Sequence, residues 1–94
     1  MKRTKTNRGF GLIEFKDRYG AKCSIQKSSL ATEDAIWFGI DDPELVVFEN
    51  ETKGKYITTK IPDNFSVNCR MHLTQEQVKD IIPILQKFVK TGEI

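Results

Sequence analysis

The chain has 94 residues, 38% of them apolar, and 15 lysines and arginines stand against 13 aspartates and glutamates for a net charge of +2. This length makes one domain with a thin stability margin, because folded chains this short bury only about 60–65% of their unfolded surface. The apolar runs are short, and the one at Ile81–Leu85 contains a proline, which excludes a membrane span. Two cysteines without CxxC spacing and a single histidine exclude a zinc site, and no other metal or cofactor is expected.

No signal peptide is visible, so the expected setting is the cytoplasm, with Cys23 and Cys69 reduced. A small domain without disulfides or metal most readily gains support by self-association, so a homo-oligomer, a dimer or tetramer, is expected.

Residues 1–8, MKRTKTNR, carry Lys2, Arg3, Lys5 and Arg8 with no acid. They predict a flexible basic arm, with residues 9–94 as a single domain. The alternative for the arm is a phosphate-seeking segment, from which Arg8 stands apart because it adjoins the first strand. Gly9–Lys16 reads as that strand, and Asp17-Arg18-Tyr19-Gly20 has the residue order of a type I turn. Ala21–Gln26 returns as its hairpin partner, with Cys23 as a small core residue.

Lys27–Ala35 is a polar connection, and Ile36–Ile40 is a third strand ended by Asp41-Asp42-Pro43. Leu45–Glu49 and Tyr56–Ile61 predict two more strands around a loop at Asn50–Lys55, and Phe65–His72 a sixth. Thr74-Gln75-Glu76-Gln77 has capping-box spacing, and Val78, Ile81, Ile82, Leu85, Phe88 and Val89 follow at helical intervals until Gly92. Pro83 sits inside that helix at a cost of about 3 kcal/mol relative to alanine, and the unbroken stripe predicts a kink rather than a break. The fold class is α+β: an antiparallel sheet of about five or six short strands with one C-terminal amphipathic helix packed on it.

No catalytic constellation is expected. His72 has no sequence partner and reads as a structural or capping residue, neither cysteine has an activating neighbour, and Asp41-Asp42 read as turn formers. The unusual feature is the density of polar side chains before the one tryptophan: Gln26, Lys27, Ser28, Ser29, Thr32, Glu33 and Asp34, then Trp37. Trp37 offers a stacking plate, to which Tyr19, Phe10 and Tyr56 can add. Lys27, Arg70 and Arg8 suit phosphate. Ser28, Ser29 and Thr32 suit ribose hydroxyls or phosphate oxygens, and Gln26 and Glu33 a base edge. The candidate ligand-binding set is therefore Arg8, Tyr19, Gln26, Lys27, Ser28, Ser29, Thr32, Glu33, Trp37 and Arg70. Two of these also have a plainer role: Trp37 as a core aromatic, and Arg70 as the ion-pair partner of Glu33 or Asp34.

Two segments, RGFGLIEFKDRYGAKCSIQKSSLATEDAIWFGIDDP (Arg8–Pro43) and RMHLTQEQVKDIIPILQKFVKTGEI (Arg70–Ile94), resemble a widespread family of short proteins from tailed-phage genomes. The specific part is SIQKSSLATEDAIW together with RMHLT, while Glu44–Asn68 departs from the pattern in length and content. The resemblance extends to the phage anti-CBASS nucleotide sponges, which bind cyclic dinucleotide alarm signals without cleaving them and assemble as oligomers. It implies an immune-evasion sponge whose partner is a cyclic dinucleotide such as cyclic GMP-AMP, acting in the infected bacterial cell without enzymatic turnover, and it assigns no residue roles. The alternatives are a small phage protein that inhibits a host protein, a nucleic-acid-binding accessory using residues 1–8, and a metal-free phosphodiesterase acting on the same signals. Beyond the arm the charge balance is +11 against −13, which implies no broad basic face for nucleic acid.

Overall fold

A computed structural model gives the architecture and describes residues 1–49 and 55–94, with backbone alone at 48, 49, 55 and 56. Eight elements follow in order: β1 (Lys2–Lys5), β2 (Gly11–Lys16), β3 (Lys22–Lys27), β4 (Ala35–Ile40), β5 (Leu45–Glu49), β6 (Lys55–Thr59), β7 (Arg70–Thr74) and α1 (Gln75–Thr91). Five strands form one antiparallel sheet in the order β1-β2-β3-β4-β7, and β5 and β6 form a separate two-stranded ribbon. The fold is α+β.

Local chemistry explains the first hairpin. The Gly20 amide donates to the Asp17 carbonyl at 3.1 Å, and the Asp17 carboxylate accepts from the Tyr19 and Ala21 amides at 2.8 and 3.0 Å. Gly20 takes a φ of 85°, which suits a residue without a Cβ. The expected loop at Asn50–Lys55 lies outside the described residues, except for Lys55 at the start of β6.

Among the expectations that differ from the structure, two concern whole segments. Residues 2–5 form an edge strand paired with β2 from Lys2↔Glu14 to Lys5↔Gly11, where a flexible arm was expected. Their charge is the kind that guards an exposed sheet edge against further pairing, so basic polarity here marks an edge strand. The sixth predicted strand begins at Arg70 and not at Phe65; Phe65–Cys69 is irregular, and β7 extends two residues further, to Thr74.

Register divides the sheet into two unlike faces, since residues paired across strands share a face and neighbours along a strand alternate. One face carries Glu14, Ser24, Gln26, Ser28, Trp37, Arg70 and His72. The opposite face carries Ile13, Phe15, Cys23, Ile25, Ile36, Phe38, Ile40, Met71 and Leu73, with Phe15 and Phe38 meeting edge to face at 6.3 Å.

Helix α1 starts without a connecting loop, because Thr74 both closes β7 and caps the helix. Its hydroxyl accepts from the Gln77 amide at 3.2 Å, and its own amide donates to the Gln77 side chain at 3.0 Å. Gly92, at φ 75°, ends the helix by donating to the Phe88 carbonyl at 2.8 Å. The helix is continuous through Pro83. Its apolar stripe is half-buried at Val78 and Ile81 and exposed at Ile82, Leu85, Phe88 and Val89. Among the described residues, only Cys23, Ser24, Ser28 and Ala35 are buried.

Candidate functional site

The polar face gathers around an aromatic pair. Trp37 on β4 is opposite His72 on β7, and the two rings stack with centroids 4.0 Å apart and planes 11° from parallel. Trp37 is half-buried, whereas His72 lies on the sheet's outer strand and is exposed. A stacked indole and imidazole at an edge present a flat, polarisable ledge to which another ring can add. Gln26 is opposite Trp37 on the other side, so the row reads Gln26, Trp37, His72 across three strands.

Two networks fix this row. Buried Ser28 donates its amide to the Ala35 carbonyl at 2.9 Å and places its Oγ 3.0 Å from His72 Nε2 and 3.3 Å from the Leu30 amide. These contacts close the base of the exposed loop at Ser29–Asp34 and orient the imidazole. Among the described residues, the Ser28–His72 pair comes nearest to a nucleophile and base. The hydroxyl is, however, engaged with backbone on its other side, and no described hydrogen bond orients the remaining ring nitrogen.

The second network surrounds Asp41. Its carboxylate accepts from buried Ser24 Oγ and, at 3.0 Å, from Arg70 Nη2. Arg70 Nε also donates to the Ile40 carbonyl at 3.4 Å. Two of the five N–H donors of the guanidinium are thereby used, and among the described residues the others have no hydrogen-bond partner. A concavity of about 250 Å³ opens beside them, lined by Trp37, Asp41, Pro43, Val67 and Arg70 among others.

The predicted residues separate by position. Gln26, Ser28, Trp37 and Arg70 share the polar face. Ser29, Thr32 and Glu33 are exposed in the loop that Ser28 anchors. Lys27 lies on the apolar face, where it pairs with Asp34, and that hydrogen bond and charge hold the Asp34 carboxyl below its ordinary value of 3.8. Arg8 belongs to the β1–β2 turn, its guanidinium 5.8 Å from the Phe10 ring centre. Tyr19, 89% exposed, stands at the tip of the β2–β3 turn, at the other end of the sheet from Arg8. The Tyr56 side chain lies outside the described residues.

Sequence reasoning passed over His72 and Asp41 as members of this face. Their roles depend on β4 pairing with β7 and on Asp41 folding back against β3, where its amide donates to the Lys22 carbonyl at 2.8 Å.

A larger groove lies elsewhere. It measures about 780 Å³ on the apolar side, between α1 and the sheet, with Ile36, Leu73, Val78, Ile82 and Pro83 in its walls. Such a lining suits an apolar occupant far better than a phosphate. Among the described residues, no cluster of three or more His, Cys, Asp or Glu side chains could hold a metal, and no helix is long and apolar enough to cross a membrane. No family model, curated protein or solved structure matches the chain.

Proposed function

We propose that this protein is a binding module of a tailed phage that captures a cyclic dinucleotide host-defence signal, such as cyclic GMP-AMP, and holds it intact in the infected cell's cytoplasm. The observation that carries the reading is the Trp37–His72 stack, open on its His72 side and set beside the Arg70 guanidinium. The sequence resemblance to phage nucleotide sponges agrees with it.

The energetics are reasonable for sequestration. A dissociation constant of ~10 nM corresponds to about −11 kcal/mol. Base–aromatic stacking contributes about 1–3 kcal/mol per base, and a charge-assisted hydrogen bond to phosphate about 1.5–3 kcal/mol. Arg70 must meet phosphate while keeping Asp41, or exchange one partner for the other. A concavity of about 250 Å³ is shallow beside the ~300–1,000 Å³ typical of small-molecule sites, so the ligand is enclosed between copies of the chain. The exposed Ser29, Thr32 and Glu33 then reach the ligand from the loop. No turnover is required, because the face offers stacking and charge without an assembled nucleophile and base.

Isothermal calorimetry against a panel of cyclic dinucleotides tests this reading, followed by heat denaturation and chromatography of the released ligand. Tight binding with intact ligand recovered is the expected result. Absence of heat with every member of the panel overturns the proposal, and recovery of hydrolysed ligand replaces sequestration with catalysis.

A further inference from the structure

The chain exposes more surface than a compact monomer of its mass. A folded monomer of 10.8 kDa is expected to expose about 5,500 Å², yet the chain exposes 8245 Å². Its radius of gyration is 16.8 Å, where a compact domain of this length gives about 12 Å. The excess is some three times the ~800 Å² that each partner gives to a standard protein interface. It includes apolar area: Ile82, Leu85 and Phe88 are each about half exposed and Val89 is 84% exposed.

We infer that the occupant of the apolar groove is the C-terminal half of α1 from a second copy of this chain, with the two helices antiparallel about a two-fold axis near Ile82. The chain supplies both parts of such a joint. The groove wall is Ile36, Leu73, Val78, Ile82 and Pro83, and the inserting stripe is Leu85, Phe88 and Val89 on the same helix. Centred on Ile82, an antiparallel pair sets Leu85 of one copy beside Lys79 and Val78 of the other, and Val89 beside Gln75. The open part of one stripe thus covers the groove of its mate. The arrangement is isologous and closes at two copies.

Charge selects this direction over a parallel one. The first half of α1 carries Glu76, Lys79 and Asp80, and the second half Lys87 and Lys90. Antiparallel pairing sets the lysine-rich half against the acidic half and opposes the helix dipoles, whereas parallel pairing sets like against like. The joint uses the apolar side of the sheet and leaves the Trp37–His72 face outside it, so enclosing a ligand takes a second, separate contact between such pairs, and the joint itself stands independently of any ligand.

Light scattering and equilibrium sedimentation of the intact chain should give twice 10.8 kDa, or an even multiple of it, across a concentration series. Leu85→Asp combined with Phe88→Asp should halve that mass or unfold the chain. Cross-linking supplies a readout that does not depend on that variant. Ile82→Cys, treated with a bismaleimide no longer than the ~10 Å between packed helix axes, should trap a covalent dimer. Val89→Cys should not, because antiparallel copies hold those positions about 21 Å apart along the axis. The control is the unsubstituted chain, which carries only Cys23 and Cys69, under the same reagent. A folded monomer at every concentration, or cross-linking at Val89→Cys as efficient as at Ile82→Cys, overturns the inference.

Discussion

Gly39→Ala is the substitution whose cost can be worked most directly from the coordinates. Gly39 lies in β4 opposite Arg70, at φ 156°, and a Cβ built there falls 2.6 Å from the Cys69 carbonyl oxygen and 2.9 Å from the Arg70 Cα. Both obstacles are backbone, so no flexible side chain can swing aside. Restoring an ordinary 3.4 Å contact requires β7 to retreat by about 0.8 Å, in a sheet where it has one neighbour. Overpacking of this kind costs about 1–3 kcal/mol, and a β-carbon at a backbone angle that disfavours it adds about 1 kcal/mol. A loss near 3 kcal/mol is a large part of the roughly 5–14 kcal/mol available to 94 residues. It lowers the melting temperature by about 12–24 °C. Circular dichroism melts measure this, and the emission of the lone tryptophan should shift to the red as His72 moves off the indole. A melting temperature within about 4 °C of the parent, less than 1 kcal/mol, would refute the close-approach argument.

Three further outcomes are expected. Trp37→Ala should weaken cyclic dinucleotide binding at least tenfold, within the roughly 5–150-fold range of a lost stacking partner; Lys60→Ala, an exposed i,i+3 pair with Asp63, is the control that should leave binding unchanged, and a melt of each variant separates lost affinity from lost fold. Thr74→Ala removes the helix cap at a cost of about 1 kcal/mol, read as a fall of about 4–8 °C in melting temperature, and Thr74→Ser should recover most of it. The Asp34 carboxyl should titrate below 3.8 by NMR and return towards that value in Lys27→Met. Because its folded value is depressed, any stability it lends is present above 3.8 and disappears as pH falls through the folded value; titration at or above 3.8 in the parent chain would contradict the Lys27–Asp34 pair.

The elements readable in the sequence are those whose chemistry is local. The Asp17–Gly20 turn, the Thr74–Gln77 box and the Gly92 stop each need only neighbouring residues, and each has the expected hydrogen bonds. The α+β class followed from short alternating segments and one amphipathic stripe. The polar block was less legible because it lies on a strand end and the adjoining loop. Ending β3 at Gln26 made Lys27 part of the loop; with Lys27 inside the strand, alternation turns it away from Gln26 and Ser28 to the opposite face. The aromatic ledge was hidden for another reason. His72 meets Trp37 only once β7, distant in sequence, is known to lie beside β4, and nothing near RMHLT announces that pairing. β1 was hidden by its lysines, which look alike in a free tail and on a guarded edge.

The absence of any linker between the outer strand and α1 makes that helix a rigid pointer. Thr74 ends one element and begins the next, so a rotation of the strand has no slack segment in which to dissipate. Seventeen residues rising about 1.5 Å each give an arm of about 26 Å. A tilt of about 5° at the pivot carries its far end through about 2 Å, enough to unseat side chains packed at van der Waals distance. The imidazole sits two residues before that pivot, on the strand that carries the arm.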